Sequence, residues 1–306
     1  IGLKVVLETW FKPARSRYSP MTPAAFHSLL TMNNEALRKE AVLMIRLLLL
    51  TVVLTTMAPP TFGAVWHVER DGSGDFTVIQ DAVDAAESGD TILIGPGRFS
   101  ETSDFHYHNN RTVQACVVLE KSLVFIGSGQ NETTIGPLGK NEYGTFGFGS
   151  ISNDLEVAIK DLSIEDCDGL SVLFDMASGG KLAVENLIVE NTYIAVAIKG
   201  TSGSSIRNCN FSSVEDDAII LLGAQNVVVE NCDIQTLFGL GINIQFPSSQ
   251  NITISNCRIQ DGNTGISLVD CQGIFIENCT ITNPYRGGIQ LTSPDNVIIN
   301  NVVVSG

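Results

Sequence analysis

Basic residues are scarce in this 306-residue chain, with 18 Lys and Arg against 33 Asp and Glu and a formal charge of −15. So acidic a chain argues against nucleic acid and anionic membrane as partners, and it repels anionic polysaccharides unless a cation bridges them. Aromatic residues make up only 7%, so the core must be built mainly from aliphatic side chains. The seven cysteines are an odd number and none stands at Cys-x-x-Cys spacing, which excludes a complete disulfide framework and the common zinc ribbons. The apolar run Leu47–Leu54 is too short to span a bilayer.

That run follows one basic residue, Arg46, and precedes small and turn-forming residues ending at Ala64. Residues 44–64 are therefore expected to be a secretory signal peptide, which places the protein outside the cell or in the periplasm with no membrane insertion after signal removal. Residues 1–43 begin on Ile1 and carry no fold pattern; they read as a non-native upstream segment. The first 64 residues hold 7 of the 18 basic and 3 of the 33 acidic side chains, leaving 11 against 30 in residues 65–306. The remaining domain is thus more acidic than the chain.

What the chain has in abundance is self-similarity. VAIKDLSI, LAVENLIV, SSIRNCNF, VVVENCDI, ITISNCRI, IFIENCTI and VIINNVVV align on Asp161, Asn186, Asn208, Asn231, Asn256, Asn278 and Asn301, at spacings of 25, 22, 23, 25, 22 and 23. A period in the low twenties marks a solenoid. Two positions earlier every row has Ile or Val, from Ile159 to Ile299, and apolar alternates with polar as in half-buried strands. A second column of small residues, Gly169, Ala195, Ala218, Gly241, Gly265 and Gly288, repeats at 26, 23, 23, 24 and 23. Strands and tight turns without a helix per repeat predict a parallel β-helix, with rungs ~4.8 Å apart. The Asn column suits a left-handed corner, where amides stack from rung to rung. Cys209, Cys232, Cys257 and Cys279 follow it and are predicted to point inward as buried, reduced thiols.

Upstream, Val78, Ile79, Ala82, Val83 and Ala86 predict a short amphipathic helix that caps the open end of the solenoid, followed by a strand at residues 91–94. The whole segment DGSGDFTVIQDAVDAAESGDTILIGPGRFSE, residues 71–101, resembles the start of the right-handed parallel β-helix proteins of the pectate lyase-like superfamily. That resemblance implies an all-β, right-handed parallel β-helix solenoid over residues 65–306. The domain is expected to continue beyond NVVVSG, which stops inside a rung. The superfamily holds lyases, hydrolases, esterases, epimerases and non-catalytic proteins, so the resemblance leaves activity open.

Three acids, Glu215, Asp216 and Asp217, stand directly before the strand-like AIIL. Asp217 aligns with Asp168 two rungs away, ~10 Å by rung spacing, near the upper limit for an inverting glycosidase pair. Asp216 and Asp217 are candidate catalytic residues with Asp168, and a candidate calcium pair. Tyr193, Asn243 and Arg286 are candidate substrate-binding residues beside them. The local text is similar to the polygalacturonases, which carry an Asp-Asp pair before a strand and Gly-His-Gly one rung later. Here that rung reads Gly239-Leu240-Gly241, Asn191-Thr192-Tyr193 only partly matches the family's Asn-Thr-Asp, and its Arg-Ile-Lys is absent. Of the pectin methylesterase motifs, nothing beyond Gly97–Glu101 is found. The Asp104–His108 segment, with two imidazoles near a carboxylate and no spaced third ligand, reads as an exposed insertion loop. Two functions remain: a secreted protein that binds an extracellular polysaccharide and degrades it as a glycosidase or lyase, or a non-catalytic extracellular scaffold or adhesion solenoid.

Overall fold

The computed structural model describes residues 63–107, 111–138, 144–152, 154–176 and 179–306. The upstream segment and the expected signal at 44–64 lie outside them, apart from Gly63 and Ala64. The described residues form a right-handed parallel β-solenoid of about ten coils with one short helix. Its strands fall into a 17-stranded and a 9-stranded sheet. The larger sheet is bent into two faces, because Glu156–Glu165 and Lys181–Thr192 run unbroken around the corner between them. The smaller sheet is a third face, parallel except for the antiparallel edge strand Ser103–Tyr107.

The corner between the first and second faces is where the sequence repeat is centred. Asp161, Asn186, Asn208, Asn231, Asn256, Asn278 and Asn301 all have φ between 49° and 56°, the left-handed region that Asn and Asp enter at least cost. Along this column Asn186 Nδ2 donates to Asp161 Oδ1 at 2.9 Å, Asn231 to Asn208 at 3.2 Å and Asn301 to Asn278 at 2.8 Å. Both flanking columns of branched residues point inward: Ile159, Val184, Ile206, Val229, Ile254 and Ile276 are fully buried, as are Ile164, Val189 and Phe211. Burying each such side chain contributes roughly 1.5–3 kcal/mol. Cys209, Cys232, Cys257 and Cys279 lie inside the coil with them, and all seven cysteines are free and buried. Burial pushes the Cys116 thiol up to about 12.

The second column is small for a steric reason, although in its first row the pairs Leu170–Ile194 and Val172–Val196 put Ser171, not Gly169, beside Ala195. A Cβ added at Gly241 would stand 2.5 Å from the Gly265 carbonyl oxygen and 2.5 Å from Ile259 Cγ2. At Gly288 it would meet the Val304 methyls at 2.6 Å. The third face is thus packed directly onto the apolar side chains of the second.

The helix α1, Ile79–Ala85, buries Ile79, Ala82 and Val83 against the first coil. Lys121 Nζ donates to the carbonyls of Val83, Asp84 and Ala86 at 3.0, 2.8 and 2.7 Å, which satisfies the C-terminal acceptors that a short helix leaves unpaired. Among the described residues no helix is long and apolar enough to cross a membrane.

Residues 104–107 differ from the expected exposed loop. They belong to the antiparallel edge strand, and Phe105, only 3% exposed, packs with Ala115, Phe146, Leu173 and Ala197 on the outside of the third face. Alternation with Asp104 and His106 hid one buried aromatic in a polar text. His106 Nδ1 stands 3.1 Å from Thr112 Oγ1; His108 lies outside the described residues.

Candidate functional site

The acids gather where the chain turns from the second face to the third. Asp166, Asn191, Ser213, Asp261 and Asn283 adopt φ between 53° and 60° there, a second left-handed column that the sequence repeat does not advertise because its residues vary. Stacked backbone bonds fix the register: Asp216 N donates to Tyr193 O at 2.9 Å, Asn263 N to Gly239 O at 2.7 Å and Arg286 N to Asn263 O at 2.7 Å. Gly239 completes that column, since a Cβ on it would fall 2.2 Å from the Asp216 carbonyl carbon. Only glycine lets the rung carrying Leu240 approach the acids so closely.

Asp217 is turned against the outside of the third face and is 8% exposed. Its Oδ1 accepts from the Leu240 peptide N–H at 2.8 Å, and its Oδ2 from Asn243 Nδ2 at 2.6 Å. Gln245 Nε2 in turn donates to Asn243 Oδ1 at 2.9 Å. Burial pushes the Asp217 carboxyl above its ordinary range, Asp216 adds to the rise, and the two donors oppose it. The sequence pointed to Asn243 and Asp217 separately; the fold joins them diagonally across neighbouring rungs. Gln245 was missed, although the alternation of GINIQ places it on the same outer side as Asn243.

Asp216 is half-buried and faces the Tyr193 hydroxyl, whose pKa its charge and hydrogen bond raise. Asp168 does not stand in line with Asp217 as its spacing suggested: the pairs Leu170–Ile194 and Val196–Ile219 put Leu170 in that line and set Asp168 two residues away, level with Glu215. Asp168 lines an open groove of about 840 Å³ along the corner, with Arg98, Leu138, Asp166, Glu215 and Leu237 among its walls. Arg98 donates to Glu165 Oε2 at 2.8 Å, Asp166 Oδ2 at 2.7 Å and the Pro137 carbonyl at 3.1 Å. Arg286 is exposed and four rungs from Tyr193 through the stacked turns, ~19 Å at ordinary rung spacing. The fold therefore brings Tyr193 to Asp216 and Asn243 to Asp217, leaves Asp168 in the adjoining groove, and sets Arg286 apart. Arg98 and Asp166 were not singled out in the sequence, since their meeting depends on residues 68 apart.

A resident calcium does not fit this donor set. Both Asp217 oxygens already hold N–H donors, and among the described residues no three His, Cys, Asp or Glu side chains converge as a metal-holding group.

The profile described as "Right handed beta helix region" matches residues 147–304. The chain belongs to the right-handed β-helix family. No curated protein matches this β-helix chain. Solved structures similar to it include a rhamnogalacturonan lyase, at 10% identity and TM-score 0.48 over 79% of this chain and 87% of that one. Pectate lyase Pel9A is 12% identical, with TM-score 0.45 over 79% and 78%. The mannuronan C-5 epimerase AlgE4 A-module of Azotobacter vinelandii is 14% identical, with TM-score 0.31 over 74% and 89%. At such identities the likeness concerns the coil and leaves the chemistry of this β-helix to its own residues.

Proposed function

We propose that this β-helix protein works outside the cell or in the periplasm and binds an extracellular polysaccharide laid along the corner between its second and third faces. The proposal takes residues 44–64 as a signal removed on export and the Asn column as a continuous ladder that stiffens the coil. The observation that carries it is the open groove of about 840 Å³. Its walls combine apolar Leu138 and Leu237 with carboxylates, Arg98 and the Asn191 amide, which suits a ligand with C–H faces and hydroxyl edges. Tyr193 and Asp216 directly adjoin it in the same turns.

A glycosidase reading is favoured by one observation, the contrast between Asp217, whose proton is held more tightly by burial, and the more accessible Asp216 and Asp168. Separated environments of this kind sort an acid from a base. In that reading Asp217 protonates the leaving oxygen and Asp168, in the adjoining groove and two residues out of line with it, activates water. Against it stands the engagement of both Asp217 oxygens by protein donors.

A glycan array on the full chain tests binding, and a blank array assigns the protein to the scaffold class. Reducing-sugar release, with and without calcium, tests hydrolysis. No release from polygalacturonate is expected, because aliphatic Leu240 stands where the polygalacturonases carry histidine and the acids repel that chain. Robust release that disappears in Asp217→Asn makes the carboxylates catalytic.

A further inference from the structure

Three large aromatic side chains stand in solvent along this same corner: Tyr193 is 45% exposed, Phe238 76% and Tyr285 87%. The column that holds Phe238 carries Glu215 one rung before and Gly262 one rung after, as shown by Phe238 N donating to Glu215 O at 3.2 Å and Tyr285 N to Gly262 O at 2.9 Å. Phe238 and Tyr285 are thus two rungs apart, with a glycine at φ 67° between them that puts no side chain in the gap. Tyr193 belongs to the neighbouring column, two rungs before Gly239 through Asp216. The rings recur every second rung, ~10 Å, which is comparable with the length of a disaccharide.

Resting on the polysaccharide reading above, we infer that the ligand is a neutral, extended, equatorially linked polysaccharide that stacks alternate sugar rings on Tyr193, Phe238 and Tyr285. A pyranose with equatorial substituents offers a face of axial C–H bonds, which the electron-rich face of an aromatic ring attracts. In a chain with equatorial linkages every second ring presents the same face, so a rail of this period meets each contacted ring alike. Charge selects against a uronate chain. Asp166, Asp168, Glu215, Asp216 and Asp217 flank the rail, Arg98 is held by Glu165 and Asp166, and Arg286 sits only at its far end. A neutral chain meets none of that repulsion.

Calorimetric titration of the full chain with cellohexaose, cellobiose and hexagalacturonate tests the inference. Cellohexaose binds, cellobiose binds much more weakly because it reaches one ring, and hexagalacturonate binds more weakly than cellohexaose. Phe238→Ala and Tyr285→Ala each weaken cellohexaose binding roughly three- to tenfold with unchanged unfolding midpoints, and Phe238→Trp restores it. Tighter binding of hexagalacturonate, or cellohexaose affinity indifferent to both alanine variants, overturns the inference while the polysaccharide reading stands. Binding of neither hexasaccharide overturns it as well, and a blank glycan array then removes the reading beneath it.

Discussion

Asn231 and Asp217 show how a single side chain acts in a repeated coil. Asn231 holds φ 54° and donates to Asn208. Leucine would lose that bond and enter the left-handed region at a cost, so Asn231→Leu is expected to destabilise by about 1–3 kcal/mol. An unchanged urea midpoint would count against the corner's role. For Asp217, burial raises the folded pKa above the ordinary aspartate range, so the folded state binds its proton more readily than the unfolded chain. The stability from that proton is fully present below the unfolded pKa and is lost as pH rises through the folded one. Asp217→Asn removes this titration. Unfolding followed from below pH ~4 toward neutrality should show the parent losing stability relative to the variant, and parallel curves would place Asp217 in a water-like setting.

Between the second and third faces, the strands meet through the small-residue column. Gly241 leaves no room for a Cβ beside Ile259 and the Gly265 carbonyl. Because the obstruction includes backbone, a side chain there must push two rungs apart. Gly241→Val is therefore expected to cost at least about 1–3 kcal/mol as overpacking, measured as a lowered denaturation midpoint with the native sheet signal kept at low denaturant. Tolerance of valine would mean that the faces are more loosely packed than the geometry states. The edge strand Ser103–Tyr107 shows the complementary device: it covers the outer apolar patch of the third face with Phe105 and protects an exposed edge.

At the scale of the whole molecule, charge and repetition act together. Parallel rungs repeat acidic positions at close range, and the chain carries −15 overall, so self-repulsion opposes the compact state. Added salt screens it, with a Debye length of about 10 Å at 0.1 M and 3 Å at 1 M. The thermal midpoint at pH 7 should therefore rise from low salt to high salt. A fall would show that ion pairs such as those of Arg98 with Glu165 and Asp166 outweigh the repulsion.

Rung-to-rung neighbours were legible in the sequence because a solenoid converts a fixed spacing in the chain into a fixed distance in space. The period placed Asn186 beside Asp161 and the four cysteines in one buried column, and the alternation of VVVENCDI told inside from outside. The helix at Ile79–Ala85 was legible from its apolar spacing alone. Diagonal and cross-face meetings were not. Asn243 reaches Asp217 because Gly239 lets the turns close up, Arg98 meets Asp166 from a different coil, and Phe105 is covered because its strand runs antiparallel. The aromatic rail also needed the fold, since Tyr193 is offset by one column from Phe238 and Tyr285 and the repeat gives no reason to read them together. Periodicity determines contacts along the axis of the coil, whereas contacts around it depend on turn geometry and side-chain direction, which the tertiary structure alone decides.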